Sequence, residues 1–318
     1  MLIPHREPDL TEDDWAALTT VNQFKALGLY AEHCYRQTHS LSNYRALLRI
    51  RSKNQLDIFR IRQLLVNSWN TERLLRSTSN NFSGHGSGFV AQWAFPQSYY
   101  AAFNSTLASF SASGFTERSH TTVRKKVSDL ASRGTLLSEL NIVVDGGLND
   151  LKTQGISSTI EDFCSSRMNG SDFEEVKRHL ISFFRSTRRM HLEDKKPDLK
   201  IRTKDGKKLK KSFRKEDWER VSSALGKTSW LCLLYRKRIK SNYRDIDTFL
   251  SPRFETESVL GGLVAFTNVF NLINEINIVN HLGSHELRSW IPTGADFIDE
   301  RLSYIDEQTT EQGSGGND

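Results

Sequence analysis

Apolar residues recur at helical spacing along most of the chain, beginning near its N-terminus. Thr11 is a good N-cap residue, and the acids and apolar positions that follow it predict a first helix that ends at about His39. A second long helix, interleaved with Arg and Lys, is predicted from about Tyr44 to Leu65. Residues 80–88 contain alternating glycines among small polar residues and predict a flexible loop.

The middle of the chain predicts an apolar helix over about 89–113, with Pro96 marking its start or a kink and Gly114 ending it. Its apolar stripe at i, i+4, i+8 and i+11 consists of Tyr99, Phe103, Leu107 and Phe110. A further helix is predicted over 120–133. The capping box at Ser171-Asp-Phe-Glu174 predicts another helix, which ends at about Arg189.

The segment 195–215 has a different pattern, because apolar and charged residues alternate on both sides of Asp205-Gly206. This pattern predicts a basic β-hairpin. Helices are predicted again from about Lys215, including a long basic one over 228–250 that Pro252 ends. A buried helical face is then predicted at Val259, Leu263, Phe266, Phe270 and Ile273.

These elements predict an all-α protein with one small hairpin. The length of 318 residues fits one large or two modest globular units. We expect N-terminal helices in 1–80, a helical core in 89–250 that the basic insertion at 195–215 interrupts, and C-terminal helices in 253–308 that pack on this core. The residues 309–318 form an acidic, glycine-containing tail that we expect to be disordered.

Composition excludes several classes of protein. With 37% hydrophobic and 10% aromatic residues, the chain is expected to fold. Cys34, Cys164 and Cys232 lie far apart, which argues against a disulfide framework. The N-terminus lacks the apolar region of a signal peptide, and the longest uncharged run, 258–274, is short and polar for a membrane span. We therefore expect a soluble cytoplasmic protein without a membrane partner.

Charge is concentrated in the basic insertion. The net charge is +6, but 195–215 holds eleven basic residues and two aspartates, a net of +9, which leaves −3 for the rest of the chain. Such a segment favours binding to a polyanion. The candidate nucleic-acid-binding residues are Lys204, Lys207, Lys208, Lys210, Lys211 and Arg214. The alternative is a charged insertion that pairs with an acidic partner protein.

The common catalytic motifs are absent from the sequence, including the P-loop, GxGxxG, HExxH, GxSxG and the EF-hand loop. His281 and His285 have helical i, i+4 spacing, but Gly283 between them indicates a helix end. We therefore predict neither a metal site nor a cofactor.

Two stretches together resemble a HEPN domain of the kind found beside minimal nucleotidyltransferases. The first is Ser98-Tyr-Tyr-Ala-Ala-Phe103, followed by a helix and a Ser-His step at His120. The second is Leu234-Tyr-Arg-Lys-Arg-Ile-Lys-Ser-Asn-Tyr-Arg-Asp245, similar to the late helix of that family. The resemblance implies a helical bundle that forms a homodimer. In active members it also implies a metal-independent ribonuclease site with an Arg-x4-6-His motif.

Two pairs are candidates for that motif. Arg238 and Tyr243 lie in the late helix, with Tyr where the family has His, and a phenol is a poor proton carrier at neutral pH. Arg185 and His191 match Arg-x5-His literally, although a solvated basic helix end would give the same pattern. In such a site Arg would bind the scissile phosphate, and His would move protons between the 2′-OH and the leaving oxygen.

Two functions follow from the sequence. One, which the resemblance implies, is an RNA-directed endoribonuclease of a bacterial antiviral defence or toxin–antitoxin type system. The other is a non-catalytic nucleic-acid-binding or scaffold subunit that docks an effector, such as a nucleotidyltransferase, through the basic insertion.

Overall fold

A computed structural model describes residues 10–37, 56–81, 88–159, 168–203, 207–243 and 246–310. This part of the chain holds eleven α-helices: α1 Glu12–Gln37, α2 Ile58–Asn81, α3 Gly88–Ala112, α4 His120–Ser132, α5 Phe173–Lys195, α6 Lys215–Leu225, α7 Trp230–Tyr243, α8 Ile246–Leu250, α9 Thr256–Leu282, α10 Ser284–Arg288 and α11 Asp296–Thr310. The strands β1 Val143–Asp145 and β2 Lys152–Gln154 form an antiparallel pair. The structure is 73% helix and 4% strand, which confirms the all-α prediction.

The helix α9 lies at the centre and packs against α1, α2 and α3. Two glycines set the crossing of α1 and α9. A Cβ on Gly28 would lie 2.8 Å from the Cα of Gly262, and a Cβ on Gly262 would overlap the carbonyl oxygen of Phe24. Only hydrogen at both positions lets the two backbones approach this closely.

A ladder of asparagines joins α9 to the small polar face of α3. Asn271 Oδ1 accepts from Ser105 Oγ at 2.7 Å, and Asn274 Nδ2 donates to the same Oγ at 3.0 Å. One turn further on, Asn277 Nδ2 donates to Ser109 Oγ at 2.8 Å. These partners offset the cost of burying amides in an apolar interface.

By length and composition, α9 is the one helix in the described part of the chain that could cross a membrane. The uncharged run 258–274 was expected to be too short and too polar for a membrane span. The helix that contains it is longer, from Thr256 to Leu282, and for that reason meets the length and composition of a span. However, 78% of its apolar window is buried inside the fold. The asparagine ladder also bonds to α3 rather than facing outward, so α9 is a core helix of this structure.

A buried ionic group ties α2, α9 and α11 together. The guanidinium of Arg301 contacts Glu72 with Nη1 to Oε1 at 2.6 Å, and Glu275 with Nη2 to Oε1 at 2.6 Å. Trp69 Nε1 also donates to Glu275 at 2.7 Å. Burial alone would raise the pKa of Glu72, but the charges of Arg301 and Arg76 lower it. Arg76 Nη2 also bonds to Glu72 Oε1 at 2.9 Å, so two guanidinium groups balance the two carboxylates of the group.

The predicted helices are largely confirmed. Tyr99, Phe103, Leu107 and Phe110 are all buried. Gly114 and Gly134 adopt positive φ after α3 and α4. Pro96 lies inside α3, which excludes the helix start and leaves the kink of the two alternatives predicted for it.

Other predicted boundaries need correction. The N-cap of α5 is Asp172 rather than Ser171, because its carboxylate accepts the Glu174 amide at 2.9 Å, and the helix continues to Lys195. The strands β1 and β2 were not predicted. The predictions for 38–55, 82–87 and 311–318 lie outside the described residues.

The main hydrophobic cluster draws side chains from α1, α2, α3, α5, α7, α9 and α11. The segments predicted as N-terminal, core and C-terminal therefore share one core. A smaller cluster of Leu192, Trp218 and Val221 supports the basic insertion, with Leu199 and Phe213 packed against it.

Candidate functional site

Aromatic and basic side chains meet where α3, α4 and α7 come together. Tyr99 comes from α3, His120 and Arg124 from α4, and Tyr235 and Arg238 from α7. We call these five residues the Arg–His–Tyr cluster. Residues from both stretches that resemble the HEPN family contribute to it.

The position of His120 is fixed at the first turn of α4. Ser119 is the N-cap, and its hydroxyl accepts the amide of Thr122 at 3.2 Å. The imidazole Nδ1 lies 2.7 Å from the hydroxyl oxygen of Tyr99. The ring stacks on Phe103 with 4.2 Å between centroids. The ring is therefore held from two sides and is only partly buried.

Two guanidinium groups surround this imidazole. Arg124 lies over the ring of Tyr235, 3.8 Å from its centroid, and Arg238 lies 5.4 Å from the centroid of Tyr99 and 4.9 Å from that of Tyr100. The Nε of Arg238 has no hydrogen-bond partner in the described part of the chain. Neither arginine forms an ion pair with a described carboxylate, so their charge is available to an anion.

The protonation states in the cluster follow from burial and these charges. Burial, followed by Arg238 and Arg124, lowers the pKa of His120, so the imidazole is neutral near pH 7. Burial raises the pKa of Tyr99, which keeps its phenol protonated. The Tyr99 hydroxyl can donate to Nδ1 or accept from it, so either nitrogen of His120 can carry the proton.

A cleft of about 320 Å³ opens beside the cluster, and Arg124 and Tyr235 line both. Three lysines, Lys125, Lys195 and Lys227, also line it. The cleft lies between α4, the end of α5, the loop after α6 and α7.

His191 lines this cleft and is only 7% exposed. Burial, together with Arg124, Arg236 and Arg188, lowers its pKa to about 3. Its Nε2 has no hydrogen-bond partner among the described residues. A neutral imidazole in this environment is suited to hydrogen bonding rather than to carrying charge.

The structure does not bring Arg185 to His191. Arg185 is exposed, and its Nε donates to Thr153 Oγ1 in β2 at 3.0 Å. A separation of six residues on a helix rotates the side chain by about 240°. The two side chains therefore point to different sides of α5.

Arg238 lies in the cluster, whereas Tyr243 is the last residue of α7. The side chain of Tyr243 lies outside the described part of the structure. The pairing of these two residues therefore stays a prediction.

The basic insertion forms an antiparallel pairing on both sides of its tip. Arg202 pairs with Leu209, and the amide of Lys210 donates to the carbonyl of Ile201 at 2.9 Å. The predicted ribbon is thus present as an isolated bridge rather than as two strands. Lys204 and the turn at 205–206 lie outside the described residues.

The predicted nucleic-acid-binding residues of the insertion differ in exposure and in ion pairing. Lys207, Lys208, Lys211 and Arg214 are exposed. The Nζ of Lys210, in contrast, lies 2.8 Å from both carboxylate oxygens of Asp217, at the start of α6. Lys210 therefore stabilises the base of the hairpin.

The described residues contain no group of three or more His, Cys, Asp or Glu side chains that could hold a metal ion. The cleft and the cluster instead offer guanidinium, ammonium, imidazole and phenol groups.

The sequence reasoning selected none of His120, Arg124 and Tyr235 as a candidate site residue. A local signal existed, because His120 and Arg124 have i, i+4 spacing, and Tyr235 and Arg238 have i, i+3 spacing. Each pair occupies one face of its helix. That the two faces meet depends on the packing of α4 against α7.

Comparisons with protein-family models, with curated proteins and with solved structures each gave no match to this chain.

Proposed function

We propose that this chain is a HEPN-like, RNA-directed protein of a bacterial antiviral defence or toxin–antitoxin type system, and that it acts in the cytoplasm as a metal-independent endoribonuclease. One observation carries the proposal. His120 and Arg238, from the two stretches on which the resemblance rests, lie around the same Tyr99 side chain. An imidazole beside unpaired guanidinium groups is the chemistry that such a reaction needs.

The proposed reaction is attack of an RNA 2′-oxygen on the adjacent phosphorus. Arg124 and Arg238 bind the nonbridging phosphate oxygens and stabilise their growing negative charge. His120 accepts the 2′-OH proton on one ring nitrogen. The resulting imidazolium of His120 then gives a proton to the departing 5′-oxygen. The P–O5′ bond breaks as the P–O2′ bond forms, so the products are a 2′,3′-cyclic phosphate and a 5′-hydroxyl. The Tyr99 hydroxyl orients the ring.

The test is incubation of the purified protein with labelled RNA in EDTA. We expect cleavage, and a loss of about 100-fold or more in His120→Gln and in Arg238→Gln. Arg185→Gln is the matched control, since Arg185 is an exposed arginine bonded to Thr153. Cleavage that survives His120→Gln but is lost in Tyr243→Phe would contradict the role of His120 and favour the pair Arg238 and Tyr243.

A homodimer is part of the proposal, because the resemblance implies a site at which two protomers meet. Sedimentation velocity of the full chain tests it. A species of twice the protomer mass of 36.4 kDa is expected, and a monomer at all concentrations would contradict it.

The second candidate function is a non-catalytic nucleic-acid-binding or scaffold subunit, which the exposed cations of the insertion favour. Glutamate substitution of Lys207, Lys208 and Lys211 should weaken RNA binding and flatten its dependence on salt. The control is Lys210→Glu, which disrupts the ion pair with Asp217 and should lower stability instead. Binding that ignores both the triple substitution and salt would exclude this role and leave docking of a protein effector.

A further inference from the structure

The cleft beside the Arg–His–Tyr cluster has an excess of positive charge, and its lysines have no part in the proposed reaction. Its charged lining consists of Arg124, Lys125, Lys195, Lys227, Asp194 and Asp198. Lys195 and Asp198 form an ion pair at 3.0 Å. Lys125 Nζ donates to the carbonyl of Ala224 at 2.9 Å, and Lys227 Nζ contacts the hydroxyl of Ser132. Neutral oxygens do not compensate the charge of these two lysines. Outside the Lys195–Asp198 pair, the lining has three cations, Arg124, Lys125 and Lys227, and one acid, Asp194, so the cleft favours a phosphate.

The wall shared with the cluster is flat and aromatic. The guanidinium of Arg124 lies 3.8 Å from the centroid of the Tyr235 ring. Stacked guanidinium and aromatic planes are the surfaces on which unpaired nucleobases stack. This wall therefore suits a planar ring better than a branched aliphatic group.

His191 adds a buried polar atom, Nε2, for which the described part of the chain supplies no partner. Its ring lines the cleft, its side chain is 7% exposed, and its Nε2 lacks a partner among the described residues. A buried polar atom without a partner is unfavourable, and a ligand that bonds to it removes this cost. A neutral imidazole can donate to or accept from the edge of a nucleobase, whereas the lysines serve the phosphate.

We propose that this cleft binds one nucleoside phosphate, with its phosphate at Lys125 and Lys227 and its base between the Arg124–Tyr235 wall and His191. The volume of about 320 Å³ is of the size that holds a small ligand. The ligand is either a free mononucleotide or one nucleotide of an RNA chain next to the scissile phosphate. The second form rests on the proposed ribonuclease function, and the first does not.

The experiment is calorimetric titration of the full chain with AMP, GMP, CMP and UMP, and in parallel with ribose 5-phosphate and inorganic phosphate. A further arm uses a trinucleotide RNA with 2′-deoxy sugars that the proposed reaction cannot cleave. We expect at least one mononucleotide to bind at least about 10-fold more tightly than ribose 5-phosphate, since the base contributes stacking and a hydrogen bond. Tighter binding of the trinucleotide than of any mononucleotide would identify RNA as the source.

Two variants separate the parts of the cleft. His191→Leu should weaken binding of the mononucleotide about 3- to 10-fold and leave ribose 5-phosphate unchanged, because one hydrogen bond is lost. The matched control is His179→Leu, another buried histidine of α5 that does not line the cleft. Lys227→Gln should weaken both ligands about 10-fold.

A measurement on the unaltered protein covers the case in which the His191 variant fails to fold. The ¹⁵N resonance of His191 Nε2 should shift on addition of the mononucleotide and not on addition of inorganic phosphate. Equal affinity for all ligands, or an unmoved His191 resonance at saturation, would overturn the proposal.

The two proposals fail separately. Nucleotide binding through His191 without RNA cleavage would leave the cleft site standing and remove the ribonuclease. Cleavage that depends on His120, with equal affinity for nucleotides and ribose 5-phosphate, would support the ribonuclease and remove the nucleotide site in the cleft.

Discussion

The pKa of His120 depends on charges that lie on another helix. Burial lowers it first, and Arg238 on α7 and Arg124 on its own helix lower it further. A positive neighbour disfavours the protonated imidazole, so removing that neighbour must raise the pKa. Arg238 therefore lowers the pKa of His120, in addition to the phosphate-binding role that we propose for it.

We expect Arg238→Gln to raise the pKa of His120. The measurement is an NMR titration of the histidine ring protons in wild type and variant. His281 is the internal control, because burial alone lowers its pKa and Arg238 does not act on it. An unchanged pKa at His120 would contradict the charge effect. In any cleavage assay that uses the neutral imidazole, the acidic limb of the pH profile should move to higher pH.

Sequence reasoning succeeded at residues whose role is local and failed at residues whose role depends on distant partners. The stripe from Tyr99 to Phe110 was predicted because helical period alone buries it. Glu72 lies beyond Leu65, where the predicted second helix ends, yet it is part of α2 and is fully buried against Arg301. No local pattern indicates a partner so far along the chain.

The close approach of α1 to α9 requires a glycine at only one of two adjacent positions in α9. Gly262 faces α1, where a Cβ would overlap the Phe24 carbonyl, whereas a Cβ on Gly261 would meet nothing within 4 Å. The sequence shows only a Gly-Gly pair in an apolar helix. The packing of the fold, and not the sequence, determines that Gly262 rather than Gly261 contacts a neighbouring helix.

We expect Gly262→Ala to destabilise the protein by about 2 kcal/mol or more, because α1 must move away from α9. Gly261→Ala should be neutral or stabilise by up to about 1 kcal/mol, since alanine is the better helix former. Urea unfolding followed by circular dichroism measures both. Equal effects of the two substitutions would show that the close approach does not set the stability.

The strands that the sequence analysis did not predict have little local sequence pattern to indicate them. The strands β1 and β2 are three residues each and pair only with one another, apart from a bridge between Val144 and Thr228. Burial of Arg188 completes this region, because its guanidinium donates to the carbonyl of Gly146 and to Ser222 Oγ. In the sequence Arg188 is one of several basic residues near the end of a helix. Only tertiary packing distinguishes it from exposed Arg185.

At the scale of the whole molecule, the central helices use buried polar groups as well as apolar packing. Carboxylates, amides and imidazoles lie between α1, α2, α3, α5, α9 and α11. The side chains of the ionic group, Asn271 and Asn274 are paired, whereas Asn277 is bonded through Nδ2 only and His191 on α5 lacks a partner at Nε2 among the described residues and is held neutral. The stability of the fold must therefore depend on pH.

Two histidines of α5 should make the fold sensitive to mild acid. Burial lowers the pKa of His191 to about 3 and that of His179 to about 4, whereas both have a pKa of about 6.5 in the unfolded chain. Below pH 6.5 the unfolded state binds more protons than the folded state, so stability falls as pH falls through this window. Each histidine should account for a loss of about 2 kcal/mol between pH 7 and pH 5.

Urea unfolding at pH 7 and at pH 5 measures this loss, above the range in which ordinary carboxyl groups titrate. In His191→Leu the difference between the two pH values should shrink by about 2 kcal/mol, whatever the substitution does to stability at pH 7. His285 is the control position, because it lies on the short helix α10 and is not buried. A His285→Leu variant should keep the full difference. If wild type and His191→Leu lose the same stability, the imidazole of His191 becomes protonated in the folded protein, which would place a charged rather than a neutral group in the cleft.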